Sequence, residues 1–516
     1  MVPKTRKGRF GPHAPNSVVF SSISNGRRRL IFATIWSNFS KSIKEMNLEL
    51  TEEHIAVRDA ARDFAQNVLK ATVIDRDNEQ RFATEEINEL GQLGFMGMMV
   101  DEQYGGSGMD TMSYVLAMEE ISKVDASVSV CMSVNNSLVC YGLQAYGTEE
   151  QKEKYLRPLA SGQKIGAFCL SEPEAGSDAT SQATTAIDCG DHYLLNGTKN
   201  WITNGGCAST YLVIAQTDAD KGHRGINALI VERDMPGFIV GAKEDKMGIR
   251  GSDTHTLMFQ DVKVPKENRI GEDGFGFKFA MKTLAGGRIG IAAQALGIAS
   301  GAYELALAYS KERKAFGKTI NQHQAIAFKL ADMATQIEAA RLMVMKAAAL
   351  KDAGEDYDLA SSMAKLYASE VAMTQTVEAV QVHGGYGFVK EYHVERLMRD
   401  AKITQIYEGT NGIQAMDLVA RKMADGGEAA YRLLDEIESF AESAKGALPD
   451  LAEPVWQAAE SLREATEWMI DQDMNDRFAG AVPYLNAYAR VLGGYFHLKA
   501  ALIEAEPGIR RALAEF

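Results

Sequence analysis

The hydrophobic pattern divides the chain into helical and strand-like regions. From Thr51, a residue suited to cap a helix, apolar residues recur at helical spacing through Val57, Phe64 and Val68. Similar segments continue to about residue 165 and are broken by glycine-rich stretches such as DEQYGGSGMD. This pattern predicts an all-helical N-terminal region.

Between about residues 166 and 270 the pattern changes to short runs. Apolar or alternating stretches such as HYLLNG, STYLVIAQ and HTLMFQDVKV are separated by the turn-forming pairs Asn196-Gly197 and Pro236-Gly237. Because short alternating runs bounded by such turns are typical of hairpins, this region predicts an antiparallel β domain.

Long alanine-rich stretches return from about residue 275 and favour a bundle of roughly four helices. The last region is helical too, with Tyr484, Tyr488, Val491, Tyr495 and Phe496 on one side of a helix. The pattern therefore predicts an α+β multidomain protein. Its expected parts are an N-terminal all-α domain (46–165), a middle antiparallel β domain (166–270), a C-terminal four-helix bundle (271–424) and an additional C-terminal helical domain (425–516).

Composition agrees with a globular chain of about three domains. The 516 residues are 46% hydrophobic and 24% charged, and the formal net charge is -14. A negative protein is a poor match for nucleic acid, because phosphate binding needs a basic face. Five cysteines without a CxxC spacing indicate a reduced, intracellular protein. No apolar run reaches about 18 residues, which predicts no membrane span.

Residues 1–45 differ from the rest because they are rich in basic residues and hold Glu45 as their only acid. Three interpretations stay open. The start codon is assigned too early and Met46 is the true start, or the segment is an organelle transit peptide, or it is a basic tail. The first favours a cytoplasmic protein, and the second a protein of the mitochondrial matrix.

Several common catalytic signatures are absent from the sequence. It has no GxSxG elbow, no HExxH or other compact metal-ligand set, no GxxxxGK[ST] loop and no GxGxxG between a strand and a helix. These absences argue against an α/β-hydrolase and a Rossmann-type nucleotide site, and they predict no catalytic metal.

Polar clusters with glycine stand out instead, and each has an ordinary structural interpretation. CLSEPEAGSDATS (169–181) suits a surface loop, KNWITNG (199–205) a packed strand end, and SKERKAFGKTINQHQ (310–324) a solvated helix face. QVHGGYGF (381–388) suits a helix C-cap and turn. The lone glutamate of ITQIYEGTNGIQ (403–414) is harder to explain, since glutamate is a poor turn former.

Taken together, the order and spacing of these clusters resemble the acyl-CoA dehydrogenase family over about residues 48–424. The two stretches diagnostic of that family, CLSEPEAGSDATS and QVHGGYGFVKEYHVERLMRDAKITQIYEGT, are complete. MSVNNSL (132–138), KEDKMGIRGS (243–252) and GRIGIAAQALGIA (287–299) look most like the short-chain, butyryl-type members. The resemblance implies FAD between the middle domain and the helical bundle.

The resemblance makes Glu408 the base that removes the α-proton of an acyl-CoA thioester while the β-hydrogen leaves as hydride to the flavin. Flanking Ile406 and Tyr407 are expected to desolvate the carboxylate and raise its pKa. Gly409 would let the thioester approach the backbone, and the Glu408 N–H would polarise its carbonyl. Other members carry the base at the position matching Gly287, which has no side chain to offer.

The resemblance also assigns cofactor contacts in the middle domain. Residues 168–177 are expected to touch the flavin, with Ser171 near its pyrimidine edge and Ser177 towards the CoA chain. Trp201 is expected to flank the ring system, and Thr203 to hydrogen-bond near N5.

Further contacts are implied in the C-terminal region. Arg313, Phe316 and Gln324 match residues that reach the FAD of a neighbouring subunit, and Arg288 matches an arginine near CoA. The implied cofactor set is Phe168, Leu170, Ser171, Ser177, Trp201, Thr203, Arg313, Phe316, Gln324, Gln381, Gly384, Gly385, Thr410 and Gly412, and the implied substrate set is Ser177, Arg288 and Gly409.

Two positions depart from the family's pattern. Ala285 stands where the family usually has aspartate, which weakens an expected CoA contact. Gly412 stands where glutamate or glutamine is common, so only its main chain is available to the cofactor.

The predicted reaction is FAD-dependent conversion of a short-chain, possibly branched, acyl-CoA to trans-2-enoyl-CoA, with the electrons passing to electron-transfer flavoprotein. Three alternatives stay open: an acyl-CoA oxidase that uses oxygen, a DNA-associated alkylation-response relative, and a non-catalytic scaffold. The 16 acidic against 8 basic residues of 427–516 speak against the second, and Glu408 against the third. Residues 427–516 resemble the extra domain of longer members, which predicts a homo-oligomer that is a dimer rather than a tetramer.

Overall fold

The described part of the chain begins with a capped helix. In the computed structural model, which describes residues 49–504 and 508–515, the Thr51 hydroxyl accepts a hydrogen bond from the His54 amide. The His54 ring accepts one from the Thr51 amide in return, and Glu52 and Glu53 lie at the positive end of the helix. These contacts stabilise the helix start. The interpretations of residues 1–45 concern a segment outside the described residues.

Helices make up the N-terminal domain, as the pattern predicts. At three points the helices widen into π turns, at Ala65–Leu69, Val134–Cys140 and Lys152–Leu156, a feature that often marks functional regions. The helices are α1 (Glu52–Phe64), α2 (Lys70–Glu79), α3 (Thr84–Gln92), α4 (Thr111–Val124), α5 (Ala126–Ser133), α6 (Tyr141–Tyr146), α7 (Glu149–Gln151) and α8 (Arg157–Ala160).

An eight-stranded sheet forms the middle domain. Its strands are β1 (Gly166–Cys169), β2 (Thr185–Asp188), β3 (His192–Thr203), β4 (Thr210–Gln216), β5 (Ile226–Glu232), β6 (Phe238–Lys243), β7 (Thr254–Pro265) and β8 (Arg269–Ile270). The order is β6-β7-β3-β2-β4-β5-β8, with β1 beside β4. Neighbouring strands are antiparallel, as predicted, except that β1 runs parallel to β4 and β2 meets β4 in parallel at one residue pair. Parallel β1 delivers its carboxyl end, and the loop after it, to the edge where β3 ends.

The bundle contains three long helices, α9 (Gly276–Glu312), α10 (Gln324–Asp352) and α11 (Asp358–His383). A small hairpin, β9 (Lys314–Ala315) and β10 (Lys318–Thr319), joins the first two. Two short helices follow, α12 (Val394–Ala401) and α13 (Asn411–Asp417), and Glu408 lies in the loop between them.

Helix α9 packs closely on α4 because two of its residues at the contact are glycines. A Cβ on Gly297 or Gly301 would overlap the main-chain oxygen of Glu119 or Lys123. Among the described residues, α9 is the one helix long and apolar enough to cross a membrane by length and composition. Since 72% of its most apolar window is buried inside the protein, this apolar surface belongs to the core.

The added C-terminal domain contains α14 (Glu428–Ala444), α15 (Pro449–Asp471), α16 (Met474–Ile503) and α17 (Ile509–Glu515). Helix α16 lies on α10 of the bundle, where the His497 ring contacts the Thr335 carbonyl at 3.2 Å and the Lys346 amine lies 5.1 Å from the Phe496 ring centre. The tyrosines predicted on one side of this helix are buried. The domain therefore covers the outer face of α10.

Candidate active site

Glu408 occupies a strained loop, the Glu408 loop (residues 406–410). Its φ angle is +57°, in the left-handed region that residues with a Cβ rarely adopt. Gly409 follows at +89°, a conformation that favours glycine, and a Cβ there would overlap the side-chain amide nitrogen of Gln414. Thr410 ends the loop as the cap of α13, because its hydroxyl accepts a hydrogen bond from the Ile413 amide at 3.3 Å.

The carboxyl group of Glu408 is buried and poorly satisfied. Its Oε2 atom accepts no hydrogen bond from the described residues. Burial raises the pKa of Glu408 to about 7, although the positive charges of Arg288 and Lys365 act in the opposite direction. A carboxyl group in such a setting is suited to accept a proton from a carbon acid near neutral pH.

Gly287 faces this carboxyl group from α9. A Cβ on Gly287 would lie 3.4 Å from Glu408 Oε2 and 2.7 Å from a terminal methyl of Leu138. The resemblance names Gly287 as the alternative position for the base, and the structure brings that position to the carboxylate of Glu408.

Arg288, predicted to lie on the substrate side, contacts the main chain of the Glu408 loop. Its Nε donates to the Glu408 carbonyl at 3.4 Å. Burial lowers the pKa of Arg288, and the positive charge of nearby Arg421 helps to lower it. Arg421 also lines a cleft together with Arg224, Phe277 and Lys278. Positive charge therefore extends from the Glu408 loop towards this cleft, which suits a ligand with phosphate groups.

Lys365, on α11, was not predicted from the sequence as a site residue. Its side chain is fully buried, and its Nζ donates to the Gly409 carbonyl at 2.8 Å and to Asn411 Oδ1 at 3.1 Å. The Asn411 amide in turn donates to Ser369 Oγ at 3.0 Å and Glu370 Oε1 at 2.6 Å. A lysine inside the apolar run SSMAKLYA was the available signal.

Two of the predicted flavin segments meet at one edge of the sheet. The Ser171 carbonyl, just after β1, accepts a hydrogen bond from the Asn200 amide of β3 at 2.9 Å. Phe168 and Leu170 therefore lie on the segment beside Trp201 and Thr203. Trp201 has a φ of +57° and is 59% exposed, so its large ring is presented to solvent. Ser177 is exposed farther along the loop.

A second buried lysine that was not predicted from the sequence supports this edge of the sheet. Lys199 Nζ donates to the Leu170 carbonyl at 3.0 Å, to Glu172 Oε1 at 2.7 Å and to Gln182 Oε1 at 2.5 Å. Burial lowers the pKa of Lys199 to about 8, against the effect of Glu172. The position of the 168–172 segment thus depends on a buried ion pair.

The other predicted cofactor residues include three that lie together on the bundle. Arg313, Gly384 and Gly385 line an open cleft of about 450 Å³, and the Arg313 guanidinium lies 5.4 Å from the ring centre of Tyr386. Phe316 is 97% exposed at a φ of +51°. Gln324, at the start of α10, and Gln381 and Gly412 are exposed as well.

These two groups fit the parts of a flavin dinucleotide. An exposed indole beside a threonine hydroxyl suits a flat ring system with polar edges. A guanidinium next to glycines, where an added Cβ would meet nothing within 4 Å, suits a pyrophosphate that approaches the backbone. Within the described residues no group of metal-ligating side chains is found.

Four family models match the chain. They are the Acyl-CoA dehydrogenase N-terminal domain at residues 51–163, middle domain at 167–262 and C-terminal domain at 274–423, and the Acetyl-CoA dehydrogenase C-terminal like domain at 433–508. A short-chain specific acyl-CoA dehydrogenase of Clostridium acetobutylicum is 51% identical over 371 residues, which are 72% of this chain and 98% of the relative.

Solved structures agree with these matches. The butyryl-CoA dehydrogenase of Megasphaera elsdenii is 53% identical and superposes with a TM-score of 0.71, covering 72% of this chain and 98% of that chain. A chain solved in work on the electron transferring flavoprotein of Acidaminococcus fermentans is 51% identical with a TM-score of 0.72, covering 73% and 100%. The fold and these matches are those of an oxidoreductase. This chain belongs to the acyl-CoA dehydrogenase family.

Proposed function

We propose that this protein catalyses the FAD-dependent α,β-dehydrogenation of a short-chain acyl-CoA, straight or branched, to trans-2-enoyl-CoA. The observation that carries the proposal is the Glu408 carboxyl group, which is buried, lacks a partner for Oε2 and has a pKa raised to about 7. Such a group destabilises the fold, and its chemistry suits the deprotonation of a carbon acid.

Glu408 accepts the α-proton of the substrate on its carboxylate. The Glu408 main-chain amide donates no hydrogen bond to the described residues, so it is available to the thioester carbonyl. This amide would stabilise the negative charge that develops as the α-proton leaves. FAD, when bound, supplies the acceptor for the β-hydrogen.

Residues of both groups would hold the cofactor. Phe168, Leu170, Ser171, Trp201 and Thr203 form the flavin side. The dinucleotide side consists of Arg313, Phe316, Gln324, Gln381, Gly384, Gly385, Thr410 and Gly412. The exposure of Phe316 and Arg313 supports a contact with the cofactor of a second copy of the chain.

The short acyl preference has two supports. The similar proteins from Clostridium acetobutylicum and Megasphaera elsdenii are short-chain and butyryl-CoA dehydrogenases. On the α9 side of Glu408, the space beside Gly287 and Gly290 is filled by Leu138 and by the hydroxyl of Tyr114, which is 3.0 Å from Ser133 Oγ. Two side chains thus occupy volume that a longer chain would need.

Electron-transfer flavoprotein is the proposed acceptor, supported by the similar chain from work on the Acidaminococcus fermentans flavoprotein. We further propose a cytoplasmic location, or the mitochondrial matrix if residues 1–45 act as a transit peptide. All five cysteines are free thiols, which fits a reducing compartment. Fractionation of cells that express the full chain distinguishes the two locations.

An anaerobic titration tests the reaction and the chain length together. The flavin of the purified protein is followed while butyryl-CoA, isobutyryl-CoA, octanoyl-CoA or palmitoyl-CoA is added, with Glu408→Gln as the matched control. We expect butyryl-CoA to bleach the wild-type flavin completely and palmitoyl-CoA to bleach it little. A flavin that no acyl-CoA reduces overturns the proposed reaction, and one reduced best by palmitoyl-CoA overturns the short-chain preference. Rapid peroxide formation on admitting air would instead identify an oxidase.

A further inference from the structure

Lys365 is a buried cation with unusual partners. Lysine is rarely buried unless it is paired with an acid. Its Nζ instead donates to a main-chain carbonyl, that of Gly409, and to the amide oxygen of Asn411. Both acceptors follow Glu408 within three residues of the chain.

We propose that Lys365 is a positioning residue for proton abstraction. Its amine fixes the Gly409 peptide so that Glu408 keeps its left-handed conformation, and its charge favours the ionised form of Glu408 that accepts the proton. This inference rests on the proposed role of Glu408 as the base.

The geometry supports the first half of the proposal. A residue with a Cβ is disfavoured at positive φ, so the surroundings must hold Glu408 there. Two consecutive carbonyls of the loop are each held by a cation from a different helix. Arg288 of α9 donates to the Glu408 carbonyl at 3.4 Å, and Lys365 of α11 donates to the Gly409 carbonyl at 2.8 Å. Of the two contacts, that of Lys365 is the shorter.

The charges around the pair support the second half. Burial lowers the pKa of Lys365 to about 7, while Glu408 and Glu370 raise it and Arg288 lowers it further. The pKa of Glu408 is about 7 as well, so the two groups titrate together. From α4, the Tyr114 hydroxyl faces the same region.

Tyr407, in the Glu408 loop itself, donates a hydrogen bond from its phenol hydroxyl to the side-chain oxygen of Gln294. Burial raises the pKa of both phenols, so they stay neutral near neutral pH. Arg288 and Lys365 are therefore the cations that act on Glu408, and Lys365 is the one whose charge changes in the range where the base works.

Replacement of Lys365 separates a positioning role from a merely structural one. In Lys365→Met the cation is absent at every pH, so Glu408 binds its proton more tightly. In Lys365→Arg the cation persists at every pH, so Glu408 binds its proton less tightly. The midpoint pH of proton abstraction should therefore be highest in the methionine variant, intermediate in the wild type and lowest in the arginine variant.

The experiment measures the single-turnover rate of flavin bleaching by butyryl-CoA in stopped flow, across pH, with FAD content per chain determined first. We expect the methionine variant to retain FAD, to be at least about tenfold slower near neutral pH and to have its midpoint raised by about one pH unit. The arginine variant should have a midpoint below that of the wild type.

Lys346→Met is the matched control. Lys346 is also a buried bundle lysine with a pKa lowered by burial, but it lies on α10 above Phe496, at the contact with the added domain. The control should keep the wild-type rate and midpoint even if its stability falls. A similar midpoint shift in this variant would show that the effect is not specific to Lys365.

Equal midpoints in the wild type and in every Lys365 variant that holds FAD would overturn the inference, as would the reverse order. If the methionine variant does not fold, the arginine variant against the wild type decides alone. The proposed function fails separately, because it fails when butyryl-CoA does not bleach the wild-type flavin at all.

Discussion

Glu408 Oε2 lies 3.4 Å from the point at which Gly287 would carry a Cβ. The carboxylate comes from the loop before α13 and the vacant position from the middle of α9, so two separate elements converge on one point. Gly287 contributes no side chain, so of these two positions Glu408 alone carries a carboxyl group.

Glu408→Gln should abolish proton abstraction without removing the flavin. Glutamine keeps the volume of the side chain but does not accept the proton, and general-base catalysis contributes roughly 10²–10⁴-fold. The purified variant should be yellow, bind acyl-CoA and show almost no bleaching by substrate, while photochemical reduction stays normal. Bleaching at more than about a tenth of the wild-type rate would place the base elsewhere.

Gly287→Glu in the Glu408→Gln background should restore part of the lost rate. The new Cβ would lie 3.4 Å from the position of Glu408 Oε2, so the new side chain reaches the same region. Leu138 must turn away, because its methyl lies 2.7 Å from the new Cβ, and this cost keeps the recovery incomplete. We expect a gain of at least about tenfold over Glu408→Gln in stopped flow. Gly287→Gln in the same background is the control, and an equal rate in the two double variants would contradict the prediction.

The raised pKa of Glu408 predicts opposite pH dependences for activity and stability. The deprotonated carboxylate is the base, so the bleaching rate should rise with pH through about 7. The folded pKa lies above the ordinary value of 4.5, so the contribution of Glu408 to folding is present below 4.5 and is lost as pH rises through 7.

Denaturant unfolding tests the predicted pH dependence of stability. The free energy of unfolding of Glu408→Gln should exceed that of the wild type by an amount that grows with pH, to on the order of 3 kcal/mol above neutrality. A difference that does not change between about pH 5 and about pH 8.5 would show that the carboxyl is not desolvated in the folded protein.

Lys199→Met should loosen the edge of the sheet that is proposed to hold the flavin. Lys199 and Glu172 are both buried and 2.7 Å apart, and removal of one partner leaves an unpaired buried charge, which costs about 3–5 kcal/mol. The variant should lose stability and FAD occupancy together, because Lys199 also holds the Leu170 carbonyl. Lys199→Met/Glu172→Gln should be less destabilised than the sum of the single variants. Additive losses in this double-mutant cycle would show that the pair is not coupled.

We predict that the protein is a dimer. The added domain covers the outer face of α10 through α16, whereas Phe316 remains 97% exposed next to the Arg313 cleft. Light scattering at micromolar concentration should give the mass of two chains, and four chains would contradict the prediction. Phe316→Asp should shift the mass towards one chain and lower FAD occupancy. Ile503→Asp, at an equally apolar and 72% exposed position on α16, should change neither.

The fold followed closely from the sequence because its signals are local. Helical spacing from Thr51, turn pairs such as Asn196-Gly197 and the alanine-rich stretches each fixed one domain type, and the structure confirms the predicted architecture. The parallel pairing of β1 with β4 was not predicted, because a four-residue strand carries no signal for the direction of its partner.

The site was only partly visible in the sequence. Glu408 stood out because a glutamate in a glycine turn has no structural explanation. Lys365 and Lys199 did not stand out, since a lysine in a helix or a strand is ordinarily on the surface. Their burial depends on elements far away in the chain, Lys365 on the Glu408 loop and Lys199 on the segment after β1. Contacts of this kind follow from tertiary packing and not from local pattern.

The unpartnered Oε2 of Glu408 also determines the fate of the abstracted hydrogen. In the part of the chain that the structure describes, this oxygen has no hydrogen-bond partner, so no protein group takes the proton from it directly. A proton placed there returns to the carbon it came from or waits until solvent enters the pocket. A deuterium label at the α-carbon should therefore be largely retained through reversal and be washed out only when product departs.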